Sequence, residues 1–290
     1  MAWNEISIAV SFEASEAVSY ILQELTGGAG LVEEHKENKI IYKVYFQEDE
    51  YFKDNLNKLK TSLENLVLEG YSIDLEHISC VLLNDEDWAE SWKKFFEPLK
   101  IGTNTVIKPP WKEYIPREGE RVIVINPAMA FGTGSHETTR MAAYYIQKYA
   151  PSMNSLLDLG CGTGILAIIA SLCGVSNVYA IDNDELAGSA LKENLALNNL
   201  DGRIEFFLQE GLKNFSLKVE CIVANIQASV FKKIKKEFSP LLVSPGILIL
   251  TGILLEQKDE ILNIFYEENF EFIEELKEAE WVCLVLKKIF

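Results

Sequence analysis

Hydrophobic and polar residues alternate with two different periods near the N-terminus. Every second residue from Ile6 to Phe12 is apolar, a period of two that predicts a half-buried strand. From Ala14 to Leu25 the apolar residues recur at helical spacing and stop before two glycines, as expected of a helix and its end. Strands near 29–34 and 39–46, a second helix between Phe52 and Leu66, and a strand at 71–75 complete the order β-α-β-β-α-β.

This order predicts a small α+β domain with the ferredoxin-like arrangement, to which we assign residues 1–82. Such domains can bind RNA when a strand carries an aromatic motif that begins with a basic residue and a glycine. The third strand, 39–46, lacks that glycine, and residues 1–82 hold 6 Lys or Arg against 15 Asp or Glu, a net charge of −9. RNA recognition by this domain is therefore disfavoured, and we hypothesise that it docks a protein.

A linking helix is predicted after this domain. Between Asn84 and Glu97, a capping residue and an acidic first turn precede aromatic residues at helical spacing, an aromatic stripe that we interpret as packing. We assign residues 83–98 to this linker.

The remaining residues, 99–290, alternate short apolar segments with helical ones. This alternation is typical of a mostly parallel, doubly wound α/β sheet with helices on both faces. The predicted strands are Val122–Ile125, Ser155–Leu159, Val178–Ile181, Ile204–Phe207, Cys221–Ala224 and Ile247–Leu250. Two further segments, Phe272–Leu276 and Val282–Leu286, follow each other closely and predict an antiparallel hairpin, hence an antiparallel strand at the sheet edge.

Composition and charge restrict the partners. The formal net charge of −17 opposes binding along a nucleic acid backbone and favours a basic partner. The basic run Lys232–Lys236 is interpreted as the solvated face of a helix. No Lys or Arg precedes Lys36, and no long apolar segment is free of glycine and polar residues, so we expect neither export nor a membrane span.

The five cysteines and three histidines are scattered, without a C-x-x-C pair. We therefore expect no metal site and no disulfides, with cysteines buried as small apolar residues in a reducing cytoplasm. We further expect the protein to be a monomer.

A glycine loop predicts a nucleotide-like ligand. The predicted strand that ends at Leu159 runs into Gly160–Gly164, whose glycines allow a close approach of backbone to ligand. The next strand ends at Asp182, and a carboxylate there can accept hydrogen bonds from both ribose hydroxyls. The alternative interpretation of Asp182 is a cap for the helix that begins near Asp184. The loop and the acid together favour nucleoside binding.

Two enzyme classes share these features, the S-adenosylmethionine-dependent methyltransferases and the nicotinamide-dependent dehydrogenases. A dehydrogenase would have its third glycine one place later, where this chain has Ile165. The glycine spacing therefore favours a methyltransferase that binds S-adenosylmethionine. Asn225 follows another strand at the edge where doubly wound enzymes present substrate. DNA adenine and protein glutamine methyltransferases have Pro-Pro-aromatic after the corresponding residue, whereas this chain has Ile226-Gln227-Ala228, which disfavours those substrates.

The segment Asn126–Arg140, NPAMAFGTGSHETTR, resembles a signature of one family. Together with the glycine loop, Ile181-Asp182 and Val223–Ile226, it is similar to the methyltransferases that modify large-subunit ribosomal protein eleven. The resemblance covers the whole chain, including the Trp-bearing connector and Glu280-Trp281. The chain differs at 126–128, where the resemblance implies Asp-Pro-Gly.

The resemblance implies a class I methyltransferase fold, a Rossmann-like sheet, and an N-terminal module that recognises the ribosomal protein. It implies methyl transfer from S-adenosylmethionine to lysine side chains and the α-amino group. The implied cofactor-binding residues are Thr139, Gly160, Gly162, Asp182 and Asn225, with Phe131, Gly132, Thr133 and Gly134 in a loop over the cofactor.

No general base can be assigned from the sequence. His136 is a candidate, but a loop histidine beside a helix start is interpreted as structural. Three functions remain open: a ribosomal protein methyltransferase, a methyltransferase for another protein or a small molecule, and a non-catalytic adenosyl-ligand-binding module.

Overall fold

The computed structural model of the chain describes residues 3–26, 32–36, 39–47, 49, 52–68, 70, 71, 73, 75, 78–83, 96–127 and 134–290. The chain divides into two compact units, residues 1–95 and 96–290, and each is described by itself. Most of the predicted linking helix, residues 84–95, lies outside the described residues.

The described part of the N-terminal unit packs helices α1 and α2 against an antiparallel sheet. Its elements are β1 (Trp3–Val10), α1 (Phe12–Thr26), β2 (Val32–Lys36), β3 (Lys39–Gln47), α2 (Phe52–Leu68) and β4 (Ser79–Leu83). The sheet order is β2-β3-β1-β4, which is the predicted ferredoxin-like arrangement. Burial alternates along β1, as its period of two predicts, and its inward residues meet Leu59 and Leu63 of α2 in one core.

The final strand of this unit is not at the predicted 71–75. Ile73 forms only an isolated bridge with Val10, whereas β4 pairs with β1 from Trp3↔Leu83 to Ser7↔Ser79. The apolar alternation at 71–75 reflects side chains that pack against the core, and packing of this kind does not require a strand ladder.

The second unit begins with a small sheet of its own. Its strands are β5 (Leu99–Ile101), β6 (Thr105–Lys108) and β7 (Arg121–Val124), in the order β5-β6-β7. The predicted strand Val122–Ile125 corresponds to β7, but it pairs with β6 instead of joining the large sheet. The reason is visible at Val124, whose backbone N and O both bond to the side chain of Asn198, so that no neighbouring strand is needed there.

The large sheet has seven strands in the order β10-β9-β8-β11-β12-β14-β13. They are β8 (Ser155–Leu159), β9 (Asn177–Asp182), β10 (Ile204–Leu208), β11 (Val219–Asn225), β12 (Leu242–Leu254), β13 (Phe270–Glu278) and β14 (Trp281–Lys288). The β13–β14 hairpin lies at the edge of the sheet, as predicted. The strand that runs antiparallel to both of its neighbours is β14, one place in from the edge strand β13.

Helices cover both faces of this sheet. They are α3 (Glu137–Tyr149), α4 (Ile165–Leu172), α5 (Glu185–Leu197), α6 (Ala228–Leu241) and α7 (Lys258–Tyr266). Buried residues of α3, α4 and α5 pack with strand residues on one face of the sheet. Buried residues of α6 and α7 pack with the alternating strand residues on the other face. Because both faces are covered, the central strands are almost continuously apolar. Among the described residues, no helix is both long and apolar enough to cross a membrane.

The basic run lies on α6 and pairs with one acidic residue of α7 and with the acidic residue that follows α7. Lys232 Nζ lies 2.6 Å from Glu260 Oε1, and Lys235 Nζ lies 2.7 Å from Glu267 Oε2. These ion pairs on partly exposed side chains agree with the interpretation of a solvated helix face.

Candidate functional site

The candidate site lies at β8, where the order in which successive strands are added to the large sheet changes direction. The chain places β9 on one side of β8 and then returns to place β11 on the other side. Leu159 is level with Ile181 on β9 and with Ala224 on β11. The residues that follow these three therefore emerge together at the carboxyl edge, in the crevice where doubly wound sheets bind ligands.

The glycine loop after β8 needs its glycines for conformation and for space. Gly160, Gly162 and Gly164 have φ of 71°, 51° and 78°, in the left-handed region. A Cβ atom on Gly160 would lie 2.6 Å from Ile226 Cγ2, and one on Gly164 would overlap the side chain of Leu191. At these two positions the loop therefore packs against Ile226 and Leu191 too closely for any larger residue.

Asp182 is bonded to this loop. Its Oδ2 accepts a hydrogen bond from Gly162 N at 2.9 Å, and its Oδ1 accepts one from Asp184 N at 3.1 Å. The cap of α5 is Asp184, which accepts from Leu186 N at 2.9 Å, so the capping interpretation of Asp182 is wrong. A carboxylate offers about four acceptor positions. Asp182 thus retains acceptor capacity for a ligand.

Asn225 and Thr139 are brought together from distant parts of the sequence. Asn225 ends β11, and its Nδ2 donates to Thr139 Oγ1 at 3.3 Å. Thr139 is buried in the first turn of α3. This bond orients the Asn225 carboxamide and leaves its oxygen as the group that can accept a hydrogen bond from a ligand.

The N-terminus of α3 is fixed to the hairpin. His136 is the N-cap, and its Nδ1 accepts from Thr138 N at 3.3 Å while its ring packs edge-on against Trp281. Arg140 donates to Glu278 Oε1, with Nε at 3.2 Å, and to the carbonyl oxygen of Ser135. His136 therefore has the structural role expected from its position.

The site contains one further acid, for which the sequence pattern predicted no role. Asp158 is fully buried; its Oδ2 accepts from Ala167 N at 3.0 Å, and its Oδ1 has no partner among the described residues. Burial raises the pKa of this carboxyl to about 7, and the nearby Asp182 adds to the effect. The signal in the sequence was an acid within an apolar strand.

Part of the predicted loop over the cofactor, Phe131, Gly132 and Thr133, lies outside the described residues, and its role stays a prediction. Gly134, which follows, has φ of 90°, and a Cβ there would lie 2.9 Å from Ile165 Cδ1. Before the loop, Asn126 Nδ2 donates to Glu193 Oε1 at 2.7 Å. An Asp at position 126 would instead face that carboxylate, which gives a physical reason for Asn in this chain.

The fold and the site define a class. A seven-stranded, doubly wound sheet with a reversed strand beside its edge, and a glycine loop and an acid at its carboxyl edge, are the features of a class I methyltransferase. The chain belongs to the ribosomal protein L11 methyltransferase (PrmA) family, whose model matches residues 2–289.

Individual relatives agree with this assignment. The chain is similar to "Ribosomal protein L11 methyltransferase" of Caldanaerobacter subterraneus subsp. tengcongensis, with 37% identity over 99% of each chain. It is similar to the protein of the same name from Acetivibrio thermocellus, with 35% identity over 99% of this chain and 98% of the relative. The crystal structure of ribosomal protein L11 methylase from Lactobacillus delbrueckii subsp. bulgaricus superposes with a TM-score of 0.64 and 28% identity, covering 67% of this chain and 100% of that chain.

Proposed function

We propose that this protein transfers methyl groups from S-adenosylmethionine to amines of ribosomal protein L11, on lysine side chains and at the N-terminus. The observation that carries the proposal is family membership over residues 2–289, including both the site and the N-terminal unit. We also propose that it acts as a monomer in the cytoplasm, where its five free thiols stay reduced.

The hydrogen-bonding groups and charges of the site suit S-adenosylmethionine. The glycines of Gly160–Gly164 allow the backbone to approach a ligand closely, and Asp182 has acceptor capacity for the ribose hydroxyls. Asp158 Oδ1 is a buried acceptor without a partner among the described residues, and a cationic ligand would stabilise its carboxylate. Thr139, Gly160, Gly162, Asp182 and Asn225 would hold the cofactor, with the Phe131–Thr133 loop over it.

When bound, the cofactor supplies an electrophilic methyl group on a cationic sulfonium. The task of the protein is to align the acceptor amine with that methyl group and to exclude water. The acceptor lysine must be neutral, and with a reference pKa of about 10.4 its deprotonation at pH 7 costs roughly 4–5 kcal/mol. Burial beside a positive charge disfavours the ammonium and supplies part of that free energy.

Asn225 is the residue we propose to orient the amine. Its amide nitrogen donates to Thr139 Oγ1, which leaves its carbonyl oxygen available as an acceptor. An amine N–H donated to that oxygen would direct the nitrogen lone pair toward the methyl group. His136 is not proposed as the base, because its Nδ1 caps α3.

The N-terminal unit is proposed to dock the substrate. Residues 1–82 contribute −9 of the net charge of −17, so the acidic surface is concentrated there. A small basic ribosomal protein is complementary to such a surface, and complementary charge speeds encounter. Removal of residues 1–82 should abolish methylation of the ribosomal protein and leave cofactor affinity unchanged.

The direct test is incubation with labelled S-adenosylmethionine and a total ribosomal protein fraction. We expect one labelled band, that of L11. A label on a different protein would support the second candidate function, a methyltransferase for another substrate. Binding of the cofactor without any labelled band would favour a non-catalytic module. Asp182→Ala, which removes the carboxylate bonded to Gly162, is the control for site-specific transfer.

A further inference from the structure

One asparagine of α5 bonds to two segments of the site at once. Asn194 is completely buried. Its Nδ2 donates to the carbonyl oxygen of Thr163 at 2.9 Å, and its Oδ1 accepts from the backbone N of Asn126 at 2.8 Å. A single carboxamide thus joins the middle of the glycine loop to the segment that precedes residues 128–133.

The bond to Thr163 acts at the centre of the loop. Thr163 is itself fully buried, and it lies between Gly162, which donates to Asp182, and Gly164, which packs over Leu191 of α5. The bond from Asn194 therefore holds the Thr163–Gly164 peptide, which follows directly after Gly162, and so restrains the loop next to the residue that donates to Asp182. A buried carbonyl that loses its donor is costly, so the loop would shift if Asn194 were changed.

The same helix provides a matched comparison. Asn198, one turn beyond Asn194, is the C-cap of α5; its Oδ1 accepts from Val124 N at 2.8 Å, and its Nδ2 donates to Val124 O at 2.7 Å. It also donates to the carbonyl oxygen of Asn194 at 2.7 Å. Asn198 thus has the same side chain as Asn194 and anchors β7 to α5. Among the described residues, its side-chain hydrogen bonds go to β7 and α5 and not to the glycine loop.

We propose that Asn194 is a positioning residue for the cofactor loop, and that it couples this loop to the Asn126 segment. The inference rests on the proposed function, since it assigns the glycine loop to the cofactor. A ligand that reduces the motion of the glycine loop also reduces the motion of the Thr163 carbonyl. Through the two hydrogen bonds of Asn194, it then restrains the backbone N–H of Asn126. Asn194 acts through Thr163 and Asn126.

The test compares three variants of the full-length protein. Asn194→Asp keeps an acceptor for Asn126 N but sets a carboxylate oxygen against the Thr163 carbonyl; Asn194→Ala removes both bonds; Asn198→Ala is the matched control. Calorimetry gives the affinity for S-adenosylhomocysteine, kinetics give KM for each substrate, and hydrogen exchange follows the Asn126 amide.

Both Asn194 variants should bind S-adenosylhomocysteine about tenfold more weakly and raise KM for S-adenosylmethionine alike, with KM for the protein substrate unchanged. Asn198→Ala should lower the melting temperature and keep the wild-type affinity. Ligand should slow exchange of the Asn126 amide in the wild type and in Asn198→Ala, but not in Asn194→Asp.

Wild-type affinity in both Asn194 variants, or an equal loss in Asn198→Ala, would overturn the inference while leaving the proposed function intact. Failure of the wild type to bind S-adenosylhomocysteine would overturn the proposed function, and this inference with it.

Discussion

Gly160→Ala tests the role of the glycine loop most sharply, because Gly202 provides a control with the same φ. Both glycines have φ of 71°. A Cβ on Gly160 would lie 2.6 Å from Ile226 Cγ2, whereas no described atom lies within 4 Å of a Cβ on Gly202. The two substitutions therefore share the backbone strain and differ in the steric clash.

The magnitudes follow from these two effects. A left-handed alanine costs about 1–2 kcal/mol, partly offset by about 0.4–1 kcal/mol from a less flexible unfolded chain, so Gly202→Ala should cost about 1 kcal/mol. Gly160→Ala adds overpacking of about 1–3 kcal/mol, for a total of about 2–4 kcal/mol. Ile226 cannot easily move away from the new methyl group. Its side chain is β-branched, and its backbone packs against Gly252, where a Cβ would lie 3.0 Å from Ile226 C.

The stability of the full-length protein is measured by urea unfolding, with hydrogen exchange of peptides from β8 and β11 as the probe of unfolding around the site. The affinity for S-adenosylhomocysteine is measured by calorimetry. Gly160→Ala should lose both stability and affinity, and Gly202→Ala only stability. Adding Ile226→Leu, which removes the clashing Cγ2 atom, should recover part of the loss in Gly160→Ala. Equal losses in the two alanine variants, or no recovery, would refute the steric argument.

Three further predictions concern charge and the acceptor site. Burial holds the folded pKa of Asp158 at about 7, above its unfolded value, so the ligand-free fold should lose stability as pH rises from about 4 to about 7. The affinity for the cationic cofactor should rise through the upper part of that range, and Asp158→Asn should flatten both profiles in urea titrations and calorimetry. Asn225→Ala should lower the methylation rate and cofactor affinity, as measured by kinetics and calorimetry; retention of both would remove its assigned role. Methylation of L11 should slow from low to moderate salt in initial-rate assays, and a flat response would contradict electrostatic steering.

The periodicity of the chain was sufficient for the fold class but not for every strand. The alternation in β1 predicted its burial, and the apolar segments of the large sheet were found as strands. At 71–75 the same alternation was misleading, because Ile73 packs on the core without joining a ladder. Val122–Ile125 was placed in the wrong sheet, since the bonds of Asn198 to Val124 are tertiary and leave no trace in the local pattern.

The sequence predicted those residues of the candidate site that lie at strand ends. Gly160, Asp182 and Asn225 could be placed at one edge because parallel strands end there together. The buried, partly unpartnered Asp158 and the double contact of Asn194 could not be derived, because each depends on which backbone atoms the fold brings to the side chain.

Methylation of L11 is tested most directly by peptide mass spectrometry of purified L11 after incubation with this protein and S-adenosylmethionine. We expect methyl groups on lysine side chains or the N-terminal amine of L11, and their loss with Asp182→Ala. Unmodified L11, despite calorimetric binding of S-adenosylmethionine by the same preparation, would contradict this expectation.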